Sequence, residues 1–205
     1  MPSSTTPARQ DLRFVEADEP IREPITKFGG QPVWLDGPMW PLSAESGRPM
    51  RFLGQIRLLG DPVRLAYLFL TENFDEDDVT DTSEPRGGEN AFFAQPGEPA
   101  EFHRVAGIRS GPTFGPDHRV ELTPHPAASE ANGADDVNDF ASRLWGTPRW
   151  LQDEETPDEP GTWRFVLQLD STDDLPFDVS FGEDGVGYAF LDENTGQGRF
   201  CWQCE

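Results

Sequence analysis

Any chemistry in this chain has to start from a small set of residues. Cys201-Trp202-Gln203-Cys204 is a CxxC, the spacing of a redox pair or of half a zinc site. A structural zinc needs about four ligands. No second CxxC exists, and His103, His118 and His125 lack ligand spacing. A redox CxxC normally opens a helix, whose dipole lowers the thiol pKa. This one follows Gly198-Arg199-Phe200 in a strand-like tail, where residues three apart point to opposite faces. Two ordinary buried strand cysteines are the expectation, with no metal and no cofactor.

The carboxylate runs invite a calcium reading, which their spacing does not support. Asp75-Glu76-Asp77-Asp78-Val79 puts valine where an EF-hand loop needs an oxygen ligand, and no glycine follows at position six. Asp170, Asp173, Asp174 and Asp178 are no better spaced, so these read as solvated acidic loops. No Gly-x-Ser-x-Gly elbow, Walker loop, His-Glu-x-x-His or dinucleotide fingerprint occurs. Carboxylate pairs suited to glycosidase chemistry turn up anywhere in so acidic a chain and carry no information. The sequence names no catalytic residue.

Gln55 and Gln168 carry more weight, because each lies inside an otherwise apolar strand-like run. A buried amide without partners costs about 1–3 kcal/mol. Either each is bonded to backbone, such as that of the neighbouring Pro-Trp turn, or the two form the polar floor of a cleft. Trp34 and Trp150 would rim such a cleft, with Trp40 and Gln152 completing the candidate binding set.

The elements that hold these residues repeat. Gln31-Pro32-Val33-Trp34-Leu35 is echoed by Thr147-Pro148-Arg149-Trp150-Leu151, Arg51 to Ile56 by Arg164 to Leu169, and Ala66 to Asn73 by Gly187 to Asn194. The offsets are 116, 113 and 121, in the same order. An internal repeat fixes architecture before anything else. It gives units of about 27–73 and 144–194, related by a pseudo-twofold axis or stacked side by side. Alternation places Phe52, Ile56 and Leu58 on one strand face, and Phe165, Leu167 and Leu169 on another. Residues 1–24, with four prolines, read as a flexible N-terminal arm, and 25–205 as a single domain. Residues 74–134 read as an insertion, with Arg119-Val120-Glu121-Leu122 strand-like inside it. A helix is expected just beyond, capped by Asp135 or Asp136, with Val137, Phe140 and Leu144 on one face and Gly146 as its stop. The expected class is α+β, rich in β: two antiparallel-sheet units packed together with few short helices.

Composition excludes several partners. Thirty-eight acids against 16 bases give a net charge of -22, which repels nucleic acid and anionic membranes. Lys27 is the sole lysine. No run approaches the roughly 18 apolar residues of a membrane helix. Without a signal-peptide core or a glycosylation sequon, a cytoplasmic location is expected. Fifteen Phe and six Trp supply large apolar anchors, so the chain has the means to build a core.

Phe28-Gly29-Gly30-Gln31-Pro32-Val33-Trp34, Trp40-Pro41 and Gly47 to Ile56 together resemble the opening of the YwqG-like family, a bacterial domain of unknown function. Trp145 to Gln152, Leu167 to Ser171, Phe181 to Tyr188 and Phe200 to Cys204 resemble its second half. The likeness runs in order over about residues 27–204 and departs in the middle insertion and the acidity. The family is similar to the programmed cell death protein 2 family, whose members chaperone a small-subunit ribosomal protein. Some bacterial relatives lie near toxin genes. The resemblance implies a protein-interaction module, chaperone-like or immunity-type, for a basic protein or peptide, and it carries over no catalytic residue. The alternative from the residues is a small-ligand binder or enzyme using a cleft between the units.

Overall fold

A run such as Leu65-Ala66-Tyr67-Leu68-Phe69-Leu70 has no polar side, which a strand tolerates only when both faces are covered. The computed structural model, described over residues 7–71, 81–125, 140–172 and 175–205, covers both. Its strands are β1 (Gln10–Glu16), β2 (Lys27–Phe28), β3 (Trp40–Leu42), β4 (Arg51–Arg57), β5 (Leu65–Leu70), β6 (Asn90–Gln95), β7 (Arg104–Ala106), β8 (His118–Pro124), β9 (Arg143–Leu144), β10 (Trp163–Asp170), β11 (Val186–Asp192) and β12 (Gly198–Gln203). Ten of them form one antiparallel sheet in the order β12-β11-β10-β9-β1-β8-β2-β4-β5-β6, and β3 pairs with β7 beside it. The edge strands β6 and β12 meet through a bridge between Phe93 and Gln197, and Ala94 N–H donates to the Gly196 carbonyl at 2.8 Å. The sheet therefore nearly closes into a barrel.

The strand order is palindromic. β4, β5 and β6 on one side match β10, β11 and β12 on the other, β2 matches β9, and β1 and β8 pair at the centre. Each repeat is thus five strands long, and its first strand crosses over: β1 lies against β9 of the second repeat, and β8 against β2 of the first. This exchange makes one body of two repeats.

The class is not α+β: no helix occurs among the described residues, which form strands throughout the barrel. The expected helix lies in part outside the described residues, and its last turn is strand β9, where Arg143 pairs with Gln168 and Leu144 with Leu167. Phe140 and Leu144 do not share a helical face, since Phe140 packs on an outer core and Leu144 in the central one. Residues 10–16 are not a flexible arm. They form β1, with Leu12 and Phe14 against the central core. The stretch 74–134 is not merely an insertion between complete units, because β6 and β8 within it belong to the two repeats. The acidic run Asp75 to Asp78 lies outside the described residues.

Three cores result. The central one lies between the repeats and takes Leu53, Ile56, Leu68 and Phe92 from the first, with Val166, Leu167, Leu191 and Phe200 from the second. Each repeat also has an outer core: Trp40, Phe52, Tyr67, Phe69 and Phe93 in one, and Phe165, Tyr188, Phe190 and Cys201 in the other. A β-bulge falls between Phe52 and Gly54, and another between Phe165 and Leu167. An extra residue flips the alternation beyond it. Phe52 and Phe165 therefore face outward with the glutamines, while Leu53 and Val166 turn inward, against the expectation from simple period-two alternation.

Candidate functional site

Gln55 and Gln168 sit at matching points of β4 and β10, both fully buried. Gln55 Oε1 accepts Val33 N–H at 2.9 Å, and its Nε2 donates to the Ile25 carbonyl at 2.9 Å. Gln168 Oε1 accepts Arg149 N–H at 2.8 Å and the Arg143 guanidinium at 2.9 Å, while its Nε2 donates to the Phe140 carbonyl at 2.7 Å. The hydroxyls of Tyr67 and Tyr188 complete the clamps by donating to the carbonyls of Val33 and Arg149. Burial pushes both phenols well above their ordinary range. A second pair is not singled out by the sequence motifs. Gln95 Oε1 accepts Leu35 and Asp36 N–H, and Gln203 Oε1 accepts Gln152 N–H at 2.9 Å. A signal is present, since Ala94-Gln95 and Trp202-Gln203 each end an aromatic run, but neither falls in one of the three echoed blocks.

These amides hold the Pro-Trp loops down on their own repeats. Trp34 lies nearly parallel to Phe69 (13°, centroids 6.2 Å apart), and Trp150 likewise to Phe190 (11°, 5.7 Å). The tryptophans do not rim a common cleft, because four strands separate β4 from β10 and each indole covers its own outer core. Where the repeats meet, Leu58, Arg64, Trp145, Val166 and Leu191 line a cavity of about 70 Å³. That is room for about two waters, at roughly 30 Å³ each. Gln152 is exposed and donates to the Cys204 carbonyl at 2.5 Å.

A larger cavity, about 550 Å³, opens on the second repeat between residues 84–86 and 154–159. Its walls carry Glu84, Glu154, Glu155, Asp158 and Glu159 against Arg86 and Arg199, and Phe190 and Cys201 lie at its base. Glu159 holds the buried Arg199 in a bidentate pair, Oε1 to Nε at 2.7 Å and Oε2 to Nη2 at 2.6 Å. That pairing keeps the Glu159 carboxyl below its usual range. Arg199 also lies over the rings of Trp163 and Phe102, 5.1 and 5.0 Å from their centroids. Burial, with the charges of Glu155 and Glu84 added, pushes the Cys201 thiol up to about 12. A thiol held protonated is a poor nucleophile and a poor metal ligand. Cys201 and Cys204 are not disulfide-bonded. Among the described residues no group of three or more His, Cys, Asp or Glu is placed to hold a metal ion, and no helix is long and apolar enough to cross a membrane.

Behind Arg199, His103 packs on Phe102 with centroids 4.4 Å apart. Its Nδ1 has no partner among the described residues. Burial, and secondarily the Arg199 charge, lower its pKa to about 4. An imidazole neutral in the folded state but titrating at about 6.5 unfolded contributes stability above pH 6.5 that is lost as the pH falls toward 4. Between pH 7 and pH 5 the loss attributable to His103 is about 2 kcal/mol, because each pH unit below 6.5 removes about 1.36 kcal/mol. The measurement is the difference in unfolding free energy between wild type and His103→Phe across that range. A difference that does not change with pH would refute the assignment.

No family model, curated protein or solved structure matches this chain.

Proposed function

We propose that this chain is a cytoplasmic, YwqG-like protein-interaction module that binds a basic protein or peptide, in a chaperone-like or immunity-type role. The observation that carries the reading is the 550 Å³ cavity, with five carboxylates and two arginines on its walls and an aromatic base. Such a hollow favours cations twice over, through ionic contact and through the ring face. The net charge of -22 supplies a long-range field of the same sign, which speeds encounter with basic partners and repels nucleic acid. Two cysteines kept as free thiols suit a reducing compartment.

The test is calorimetric titration with a basic polypeptide such as polylysine at several salt concentrations. Affinity should fall about tenfold or more between low salt and 0.5 M, because screening shortens the reach of exposed charges to a few ångströms. The pair Glu154→Gln and Glu155→Gln should weaken it at low salt. Absence of binding, or binding indifferent to salt, would end this reading.

A further inference from the structure

The two repeats differ at the sixth residue after the loop tryptophan. In the first repeat that residue is Trp40, followed by Pro41, and in the second it is Thr156, followed by Pro157. Trp40 is fully buried, stands edge-on to Phe69 with centroids 5.2 Å apart, and donates its Nε1–H to the Met50 carbonyl at 2.8 Å. The strand registers give the matching wall in the second repeat. Tyr67 pairs with Phe93 and Phe69 with Ala91; Tyr188 pairs with Cys201 and Phe190 with Arg199. Phe190 and Cys201 thus stand where Phe69 and Phe93 stand, and together with Thr156 and Pro157 they line the 550 Å³ cavity. Indole to threonine and phenyl to thiol open space at this wall, and Arg199, which stands where Ala91 stands, fills part of it.

The molecule therefore shows in its first repeat what kind of group such a wall receives, namely a flat one with an N–H at its edge. In the second repeat the surroundings add charge. Glu159 is engaged by Arg199, whereas Glu84, Glu154, Glu155 and Asp158 have no ion-pair partner among the described residues. A flat group that is also cationic and rich in N–H donors is a guanidinium. We propose that this cavity is a recognition slot for one arginine side chain of a partner polypeptide. Its guanidinium lies against Phe190 as the Trp40 indole lies against Phe69, and it donates to the carboxylates of Glu154 and Glu155. Lysine fits less well, since an ammonium has no flat face and cannot bond two oxygens in a fork. This rests on the basic-partner reading above and sharpens it to a residue and a place.

The test uses the full chain and three short uncharged-flank peptides, Gly-Gly-X-Gly-Gly with blocked ends, where X is arginine, lysine or citrulline. Polylysine serves as a reference. Arginine should bind about fivefold more tightly than lysine, and citrulline, flat but uncharged, should not bind measurably. Thr156→Trp, which supplies the first repeat's own indole, should weaken the arginine peptide about tenfold. Glu155→Gln, which changes no volume, should remove most of the arginine preference, and it decides the matter if circular dichroism shows Thr156→Trp unfolded. Arginine and lysine peptides within twofold of each other, or a folded Thr156→Trp with undiminished arginine affinity, would overturn the slot. If polylysine binds with salt dependence but arginine is not preferred, only the slot fails. If no basic ligand binds at all, the basic-partner reading fails with it.

Discussion

Replacing Lys27 with methionine is expected to lower stability by about 3–5 kcal/mol, the cost of stripping one partner from a buried ion pair. The sole lysine of the chain is fully buried. Its ammonium donates to the Gln31 carbonyl at 2.6 Å, to the Gly29 carbonyl at 3.5 Å, and to the Asp117 carboxylate. Burial pulls its pKa down and Asp117 pushes it back up. Methionine keeps the volume but leaves that carboxylate buried among carbonyls with no cation. The surroundings cannot relax, since a Cβ on Gly30 would already fall 2.0 Å from the Asp117 carboxylate and Gly30 holds φ at 58°. In a protein of this size the melting temperature should fall by about 10 °C, at 2–4 °C per kcal/mol. Adding Asp117→Asn should restore more than half of the loss, because the uncompensated charge is the main penalty. A single-variant melt within two degrees of wild type (~2 °C, under 1 kcal/mol) would show that the pair does not hold the strand junction.

Gln168→Leu is expected to cost about 3–5 kcal/mol, and Gln55→Leu somewhat less. Leucine leaves Arg149 N–H, the Arg143 contact and the Phe140 carbonyl without the amide that satisfied them. Each such loss is worth about 1–3 kcal/mol when buried. At Gln55 two contacts go, to Val33 N–H and the Ile25 carbonyl. Hydrogen exchange gives a local reading: the amides of Arg149 and Val33 should lose protection in the respective variants while β11 and β5 keep theirs. If instead these glutamines faced a ligand, the variants would bind partner poorly and melt normally, which would return the cleft between the repeats to consideration.

A good part of this was legible without coordinates. The duplication could be read from Pro32 and Pro148, Trp34 and Trp150, and Gln55 and Gln168, because residues that clamp a loop to a strand must keep their spacing in both copies. The strands β4, β5, β10 and β11 were legible as apolar runs, and Arg119 to Leu122 as strand-like. What misled was local as well. Phe140 and Leu144 have helical spacing, yet β9 is only two residues long, too short to leave a period. The bulges after Phe52 and after Phe165 turned the faces around, and no single-sequence alternation can register one extra residue. β1 looked like an arm because only one of its faces, Leu12 and Phe14, meets the core.

The candidate slot shows the same division. Thr156-Pro157 can be aligned with Trp40-Pro41 on paper, and the carboxylates around it can be counted there. That Phe190 and Cys201 form the wall beneath it depends on the register of β11 on β12, which residue types alone do not give. Type and spacing, which act within a loop or along a strand, are determined by the sequence directly, so it fixes the repeats, the aromatic anchors and the charge. The crossing of β1 and β8 into each other's repeats, the near closure of the barrel and the acidic cavity arise from contacts between segments far apart in sequence, such as Leu12 with Leu122 and Phe93 with Gln197. Only the tertiary structure decides those, because their free energy comes from packing and burial, which local spacing does not encode.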